Sequence, residues 1–351
     1  MKQAQLTRRQ ALKVAGVVAG MATLGGFIGS IPALADGEPD DAGLGPFGPW
    51  SAPRPIREVP STFNEFHPTL SKDELSLYVT TNRYAQDATP YPNGIAVVQR
   101  ADRKTNWDLD ALVPVSSLNF AKSASGAPNL TAKGRSIYFQ NNRGGKGGDL
   151  YVSYRKDTRD DQGWSDAVLL PGAVNTSANS ESAATYFRDP ADGTVRMYFS
   201  RFAGIGSFGN PNQDFNIYVS NMAADGSFGE GVLVPALNSI SQPGDAPGTW
   251  TRDTRTAIRR DGLEMFITSN RHFGLSYTGG SIENLWVATR NDTSTEDWST
   301  PTLVPTINSG FGEGGPALSF DGRTLYFFSA RTTSGTVGPW QLWTSTRESL
   351  A

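Results

Sequence analysis

Short runs of β-branched and aromatic residues recur along the chain, each ending in an arginine that precedes a Gly-rich or aromatic loop. Alternation of apolar and polar positions at near period two within these runs favours strands over helices. The arginines are spaced by 60, 58, 70 and 60 residues, which predicts one supersecondary unit repeated five times. They are Arg83, Arg143, Arg201, Arg271 and Arg331.

Each unit is predicted to contain four antiparallel strands. A tight hairpin turn separates the first strand from the second, and Asp and Gly suit such turns because they tolerate a positive φ. The turns fall at Asp73-Glu74, Lys133-Gly134, Asp192-Gly193, Asp261-Gly262 and Asp321-Gly322. Four antiparallel strands repeated around an axis form the blades of a β-propeller. The chain is therefore predicted to be an all-β, five-bladed β-propeller.

The fifth unit lacks a fourth strand, because the sequence ends soon after its third. A matching segment lies near the start of the chain, where residues 50–53 (WSAP) resemble residues 298–301 (WSTP). Trp50 precedes Glu65 by 15 residues, as Trp298 precedes Glu313. We expect residues 50–59 to complete the C-terminal blade, which closes the ring and removes two exposed strand edges.

The first 35 residues resemble a twin-arginine export signal. Arg8 and Arg9 precede an apolar, Gly-rich stretch and then Ala33-Leu34-Ala35, a small-x-small cleavage pattern. An uncleaved membrane anchor is the alternative. We predict a signal peptide over 1–35, a flexible leader over 36–47 and a single propeller domain over 48–351. The mature protein is expected in the periplasm or outside the cell, with no membrane span after cleavage.

Composition limits the function classes. After cleavage the chain keeps 27 basic and 34 acidic residues, and this negative net charge argues against a nucleic-acid or anionic-membrane binder. The chain has no cysteine, which excludes disulfides and thiolate chemistry. It has only two histidines, which limits imidazole metal sites.

Two segments carry a family resemblance. Residues 313–327 have the sequence EGGPALSFDGRTLYF, and residues 141–151 have the sequence NNRGGKGGDLY. Both resemble the WD-like β-propeller repeats of the TolB type. The resemblance covers most of the mature chain and implies the propeller fold. It leaves function open, because that family includes binding scaffolds, partner-docking modules and enzyme domains.

Long loops and acidic residues both fall on one predicted face of the propeller, where the first strand of each blade begins. We call this the top face. An acid starts the first strand in four of the five units: Glu65, Glu181, Asp253 and Glu313, with Asp245 competing with Asp253 for the fourth blade. One interpretation is structural ion pairing with the repeated arginines. The other is a catalytic carboxylate set in which one acid donates a proton and another acts as base, as in glycosidases.

Both histidines are expected on the same face. His67 follows Glu65 by two residues, and His272 directly follows Arg271. A histidine beside acids can act as a general base near neutral pH. It can also ligate a metal together with carboxylates, or simply form hydrogen bonds in a loop. The expected cofactor is accordingly none or a divalent metal, with Ca²⁺ as one candidate.

The remaining candidates would bind the ligand. The five arginines have planar guanidinium groups that suit a carboxylate or a developing negative charge. Tyr84, Phe273 and Trp340 either stack on a sugar or pack the loops together. We therefore expect an exported propeller that binds a small polar or carbohydrate-like molecule, with hydrolase or lyase chemistry. The alternative is a non-catalytic interaction propeller for a cell-envelope protein.

Overall fold

The computed structural model describes residues 44–85, 92–143, 147–203, 214–239, 251–271 and 283–350. Their strands form five four-stranded antiparallel sheets, so the predicted five-bladed all-β propeller is confirmed. The helices in these residues are three short 3-10 turns. No helix in this part of the chain is long and apolar enough to cross a membrane. The predicted signal peptide and residues 36–43 of the leader lie outside the described residues.

In each of the first four blades the first strand lies nearest the axis, and the other three follow outward in chain order. Blade 1 contains β2 (Glu65–Leu70), β3 (Ser76–Thr81), β4 (Gly94–Gln99) and β5 (Val113–Pro114). Blade 2 contains β6 (Ser125–Leu130), β7 (Ser136–Asn141), β8 (Asp149–Tyr154) and β9 (Val168–Leu169). Blade 3 contains β10 (Asn179–Arg188), β11 (Val195–Ala203), β12 (Phe215–Asn221) and β13 (Val232–Leu233). Blade 4 contains β14 (Asp253–Ile258), β15 (Glu264–Ser269), β16 (Asn284–Thr289) and β17 (Thr302–Leu303).

Blade 5 joins the two ends of the described chain. It contains β18 (Glu313–Leu318), β19 (Thr324–Arg331), β20 (Val337–Thr346) and, as its outer strand, β1 (Arg54–Pro55). Arg54 pairs with Thr344, and Pro55 pairs with Trp343. The predicted closure of the ring by an N-terminal strand is therefore confirmed.

The segment before β1 also contacts the end of the chain. Phe47, which we predicted to lie in the leader, forms an isolated β-bridge with Ser349. The Trp50 ring lies edge-on to Phe266 at 5.8 Å and under the Arg347 guanidinium at 4.4 Å. These contacts attach the first described residues to blades 4 and 5.

Apolar side chains fill the spaces between neighbouring blades. Between blades 1 and 2, for example, Tyr78, Ile137, Phe139 and Trp164 belong to one buried cluster. A four-stranded blade cannot bury both faces alone, so each blade depends on its neighbours for its core. The first strands of the five blades contact one another around the axis, in the order β2, β6, β10, β14, β18 and back to β2.

Every first strand has a β-bulge in its first half, at the third residue of β2, β6, β14 and β18 and at the fifth residue of β10. The residue there adopts a left-handed conformation, with φ between 47° and 58°. These residues are His67, Ala127, Ala183, Arg255 and Gly315, and we call them the waist because all five line the same central channel.

Side chains on the preceding blade hold the waist residues in place. The Ala127 N–H donates to Thr80 Oγ1 at 3.0 Å, and the Gly315 N–H donates to Thr268 Oγ1 at 2.9 Å. In blade 1 the corresponding neighbour is Phe328, which offers no acceptor. Its ring instead lies edge-on to the His67 ring at 5.5 Å.

Ring closure depends on the segment around Trp50, so truncating this side chain should destabilise the whole propeller. We expect Trp50→Ala to lower the free energy of unfolding by about 2–3 kcal/mol, because it leaves a cavity beside Phe266. Urea denaturation measures the change. Val59→Ala is the matched control, since Val59 is 76% exposed and its truncation should cost less than about 0.5 kcal/mol. Equal effects of the two substitutions would contradict the role of Trp50.

Candidate functional site

The acid that starts β18 belongs to a buried clamp. Glu313 is 0% exposed and accepts hydrogen bonds from the Ser309 N–H at 2.8 Å and from the Ser329 hydroxyl at 2.8 Å. Arg331 Nη2 lies 2.8 Å from the same carboxylate and donates to the Ile307 carbonyl at 2.5 Å. The pair therefore ties the connection from blade 4 to the first two strands of blade 5.

We use the term clamp for this pair of a buried acid, near the start of the first strand, and the arginine of the same blade. Three other blades have the same clamp. In blade 3 and blade 4 the arginine also donates to a carbonyl of the preceding connection, at Val174 and Leu237 respectively. All four carboxylates are 0% exposed. The pairs are Glu65–Arg83 at 2.5 Å, Glu181–Arg201 at 2.8 Å, Asp253–Arg271 at 2.6 Å and Glu313–Arg331 at 2.8 Å.

Blade 2 replaces the clamp with neutral groups. Ser125 occupies the position of the acid and accepts a hydrogen bond from Asn141 Nδ2 at 2.9 Å. Arg143 lies between two aromatic rings, 4.1 Å from the Phe120 centroid and 4.3 Å from the Tyr151 centroid. Its guanidinium is thus held by cation–π contacts and by a hydrogen bond that it donates to the Tyr151 hydroxyl at 3.0 Å.

Arg201 departs from the register of the other four arginines. It lies directly opposite Glu181 in the ladder, where the other blades have Thr81, Asn141, Ser269 and Ser329. The other arginines follow that position by two residues. Arg201 still reaches its acid, so the spacing of 58 residues reflects a shift along the strand.

The clamps show where the predicted catalytic acids point. Their carboxylates face the connections between blades. In blade 4 the clamp acid is Asp253. Asp245, the other candidate for that blade, lies outside the described residues. Burial raises the pKa of Glu65 and of Glu181, and the arginine of each clamp opposes this shift. A substrate would reach such a carboxylate only by opening the clamp. This geometry favours structural ion pairing, and the catalytic role of the acids stays a prediction.

A different set of polar residues adjoins the central channel through the waist residues His67 and Arg255. Glu283 is 3.5 Å from Arg255 Nη1 through Oε2 and 3.8 Å from Arg252 Nη1 through Oε1. Arg255 is a waist residue, as is His67. We call Arg252, Arg255, Glu283 and His67 the axial cluster.

His67 is the most unusual member of the axial cluster. Its side chain is 7% exposed, and neither ring nitrogen has a hydrogen-bond partner among the described residues. The rings of Phe66 and Phe328 lie edge-on to it, at 4.6 and 5.5 Å. Burial, with a smaller contribution from Arg255, holds the pKa of His67 well below its usual value. A neutral imidazole results, with one donor and one acceptor that are both buried.

The predicted ligand-binding aromatics have neighbours within the protein. The Tyr84 hydroxyl donates to the Leu112 carbonyl at 2.6 Å, and the Trp340 ring lies edge-on to Phe328 at 4.9 Å. Both side chains pack against the core between blades 5 and 1. His272 and Phe273 lie outside the described residues.

Sequence reasoning missed Glu283, Arg252 and Arg255. Arg255 occupies the same position of the repeat as His67, and the other three blades have alanine or glycine there. Glu283 ends the loop before β16, and the corresponding positions in the other blades hold Asn93, Gly148, Phe215 and Trp340. Departure from the repeat was thus the available signal for both residues.

A bound metal stays a prediction. Within residues 44–350, as far as they are described, no three His, Asp or Glu side chains come together in a group that could hold an ion.

Solved structures share this fold at low sequence identity. A thermostable family-43 glycoside hydrolase aligns with a TM-score of 0.53 and 16% identity, over 84% of this chain and 91% of that one. An α-L-arabinofuranosidase from Lactobacillus brevis aligns with a TM-score of 0.52 and 16% identity, over 81% and 90%. One from Podospora anserina, in complex with cellotriose, aligns with a TM-score of 0.51 and 11% identity, over 86% and 96%.

The class of protein that these results define is a five-bladed β-propeller with the architecture of these glycoside hydrolases. No family model matches the sequence, and no curated protein matches it significantly. The propeller implied by the TolB-type resemblance is confirmed, and the TolB-type affiliation itself stays a prediction.

Breaking one clamp should cost stability, because it leaves a buried charge without its partner. We expect Glu313→Ala to lower the free energy of unfolding by about 3 kcal/mol, measured by urea denaturation. The control is Ser125→Ala in blade 2, where no charge is buried and the loss should be about 1 kcal/mol. A Glu313→Ala protein as stable as the Ser125→Ala protein would rule out the clamp as a major source of stability.

The neutral state of His67 should make stability depend on pH. Its pKa is lower in the folded than in the unfolded chain, so the unfolded chain binds more protons below about pH 6.5. Stability should fall as the pH decreases from 6.5, by up to about 1.4 kcal/mol per pH unit for this one group. Urea denaturation of wild type and His67→Gln between about pH 5 and 7 measures the difference, with His272→Gln as the control. Parallel pH profiles for wild type and His67→Gln would show that His67 does not titrate as described.

Proposed function

We propose that this protein is exported by the twin-arginine route and binds a carbohydrate-like ligand at the axial cluster, where it hydrolyses a glycosidic bond. The observation that carries the proposal is His67, a buried neutral imidazole with no hydrogen-bond partner in the described part of the chain, beside the Arg255–Glu283 ion pair. Buried polar atoms are rarely left unpaired, so this site suits a polar ligand that satisfies them.

The chemistry of the cluster fits a polyhydroxylated ligand. Carboxylate and imidazole groups accept hydrogen bonds from hydroxyls, and the two guanidinium groups donate to ring or hydroxyl oxygens. Phe66 borders His67, is only partly buried and supplies apolar surface of the kind that packs on sugar rings. The side chain of Glu283 is 18% exposed, so a ligand in the channel can reach it.

Hydrolysis needs one group that donates a proton to the leaving oxygen and another that accepts a proton from water. We assign the accepting role to the Glu283 carboxylate. Glu65 is the candidate donor, because burial raises its pKa and its Oε2 has no hydrogen-bond partner among the described residues. Arg83 and Arg57 lie beside Glu65, so its release from Arg83 would accompany substrate binding.

The structurally similar enzymes suggest the first substrates to test. Two of them are α-L-arabinofuranosidases, and another is an endo-arabinase from Bacteroides thetaiotaomicron with a TM-score of 0.50. An aryl α-L-arabinofuranoside and arabino-oligosaccharides therefore come first, followed by a wider panel of glycans, lactones and esters.

Removing the axial carboxylate should separate catalysis from stability. We expect Glu283→Gln to lower kcat/KM on a hydrolysed glycoside by about 100-fold or more, because the base is lost, while the melting temperature stays within about 2 °C. The matched control is Glu313→Gln, which alters a clamp and should lower the melting temperature without a comparable loss of kcat/KM per folded molecule. Turnover that is unaffected by Glu283→Gln would refute the assigned role.

A protein without turnover on any of these substrates would favour the other interpretation, a non-catalytic propeller that docks on a cell-envelope partner. Glycan binding by calorimetry decides between the remaining possibilities. If glycan binding is seen in the wild type and lost in His67→Ala, the axial cluster is a carbohydrate-binding site without catalysis.

A further inference from the structure

The acid of the blade 1 clamp lacks a hydrogen bond that the other three clamp acids accept. In blades 3, 4 and 5 a backbone N–H of the preceding connection donates to the carboxylate. The donors are Thr176, Ser239 and Ser309. Ser61 occupies the position of Ser309, four residues before the acid, but its N–H donates to Gln341 Oε1 at 2.9 Å. Glu65 Oε2 is therefore left without a hydrogen-bond partner among the described residues.

The arginine of the same clamp is also incompletely bonded. In blades 4 and 5 the arginine Nε donates at 3.0 Å to a serine hydroxyl of the second strand. Thr81 takes that place in blade 1 and accepts only from the Arg83 backbone N–H, so Arg83 Nε has no hydrogen-bond partner in the part of the chain that the structure describes. A second guanidinium lies beside it, because Arg57 Nη2 is 4.0 Å from Glu65 Oε1. We call Glu65, Arg83 and Arg57 the open clamp.

A surface carboxylate bridges the two guanidinium groups of the open clamp. Asp110 lies in a short 3-10 turn before β5, and its Oδ1 is 3.0 Å from Arg57 Nη2 and 3.7 Å from Arg83 Nη1. Its side chain is 80% exposed, and Arg57 Nη2 is not aligned to donate a hydrogen bond to it. Because exposed ion pairs contribute little to stability, a carboxylate from outside can replace Asp110 at small cost.

We propose that the open clamp binds the carboxylate of a sugar acid, in the place that Asp110 occupies. Guanidinium groups suit a carboxylate, and two arginines with one ionised Glu65 carry one positive charge, which an anionic ligand balances. A hydroxyl on the carbon next to the ligand's carboxyl-bearing carbon can donate to Glu65 Oε2, and a sugar acid supplies both groups. The exposed ring of Phe63, 5.2 Å from Arg83 Cζ, adds apolar surface beside them.

This inference rests on the proposed function for the sugar part of the ligand, and it narrows the substrate class to glycans that carry a carboxylate. Glu65 and His67 are two residues apart in β2, so the open clamp is next to the axial cluster. The axial cluster then holds an uncharged sugar unit, and the open clamp holds an acidic neighbouring unit.

The ligand's carboxylate also affects the protonation of Glu65. Burial raises the pKa of Glu65, and the positive charges of Arg57 and Arg83 oppose this shift. A carboxylate that pairs with the two arginines offsets their charge, so Glu65 holds its proton more firmly while the ligand is bound. An acidic substrate would thus prepare the proton donor that hydrolysis requires.

Calorimetry with D-glucuronate and D-glucose tests the site in the full chain. We expect D-glucuronate to bind about tenfold more tightly than D-glucose, and Arg57→Gln to remove this difference because one of the two guanidinium groups is lost. Arg54→Gln is the matched control, since Arg54 is an exposed arginine in β1 and the charge change is the same. Equal affinities of the two sugars for the wild type, no detectable binding of D-glucuronate, or equal effects of the two substitutions would overturn the proposal.

A gain of affinity provides the second test, and it does not depend on a variant of the buried pair. We expect Asp110→Asn to tighten D-glucuronate binding by about two- to fourfold, because the exposed carboxylate no longer competes for the arginines. The control is Asp108→Asn, which removes a charge two residues away at the cap of the same turn. Unchanged affinity in Asp110→Asn, or the same gain in Asp108→Asn, would show that the ligand does not take the place of Asp110.

The two proposals fail separately. Turnover of neutral glycosides by a protein with no preference for D-glucuronate would refute the open clamp as a carboxylate site and leave the proposed hydrolysis standing. A preference for D-glucuronate that Arg57→Gln abolishes, in a protein without turnover on any glycan, would support the open clamp and refute the hydrolysis.

Discussion

The buried ion pair of an acid near the start of the first strand with the arginine of its blade, present in four of the five blades, is the interaction on which the rest of the propeller depends. A carboxylate and a guanidinium withdrawn from water lose several kcal/mol of hydration each, and only a close, hydrogen-bonded pair compensates for that loss. Glu313 and Arg331 meet this condition by bonding each other and the connection from the preceding blade. The clamp therefore sets both the register of the first strand and its attachment to the neighbouring blade.

The same register determines what reaches the axis. Two residues after the clamp acid, or after Ser125 in blade 2, each first strand bulges into a left-handed conformation, which costs about 1–2 kcal/mol for a residue with a Cβ. Glycine avoids this cost at Gly315, whereas the four waist residues with a Cβ bear it. Among these, His67 and Arg255 have large side chains, and both line the channel. A buried imidazole left unpaired at a strained position is typical of a functional site.

The repeat was predictable from the sequence because hairpin turns, strand periodicity and arginine spacing are local signals. Ring closure was also predictable, since Trp50 matches a residue of a neighbouring unit. The direction of Glu65 and the other acids was not predictable, because a bulged strand no longer alternates its faces regularly. Arg201 lies two residues earlier along its strand than the other arginines, and it keeps its contact with Glu181. Glu283 is acidic where the other blades have Asn93, Gly148, Phe215 and Trp340, so only its departure from the repeat could have singled it out.

The waist also determines the chemistry that a ligand would meet at the axial cluster. Two waist residues, His67 and Arg255, belong to the cluster, and Glu283 pairs with Arg255. Burial lowers the pKa of His67 and keeps its imidazole neutral, so the cluster combines charges of both signs with an uncharged donor and acceptor. This combination suits an uncharged, polyhydroxylated molecule, and it arises from the two positions at which the bulge of the repeat bears a large side chain.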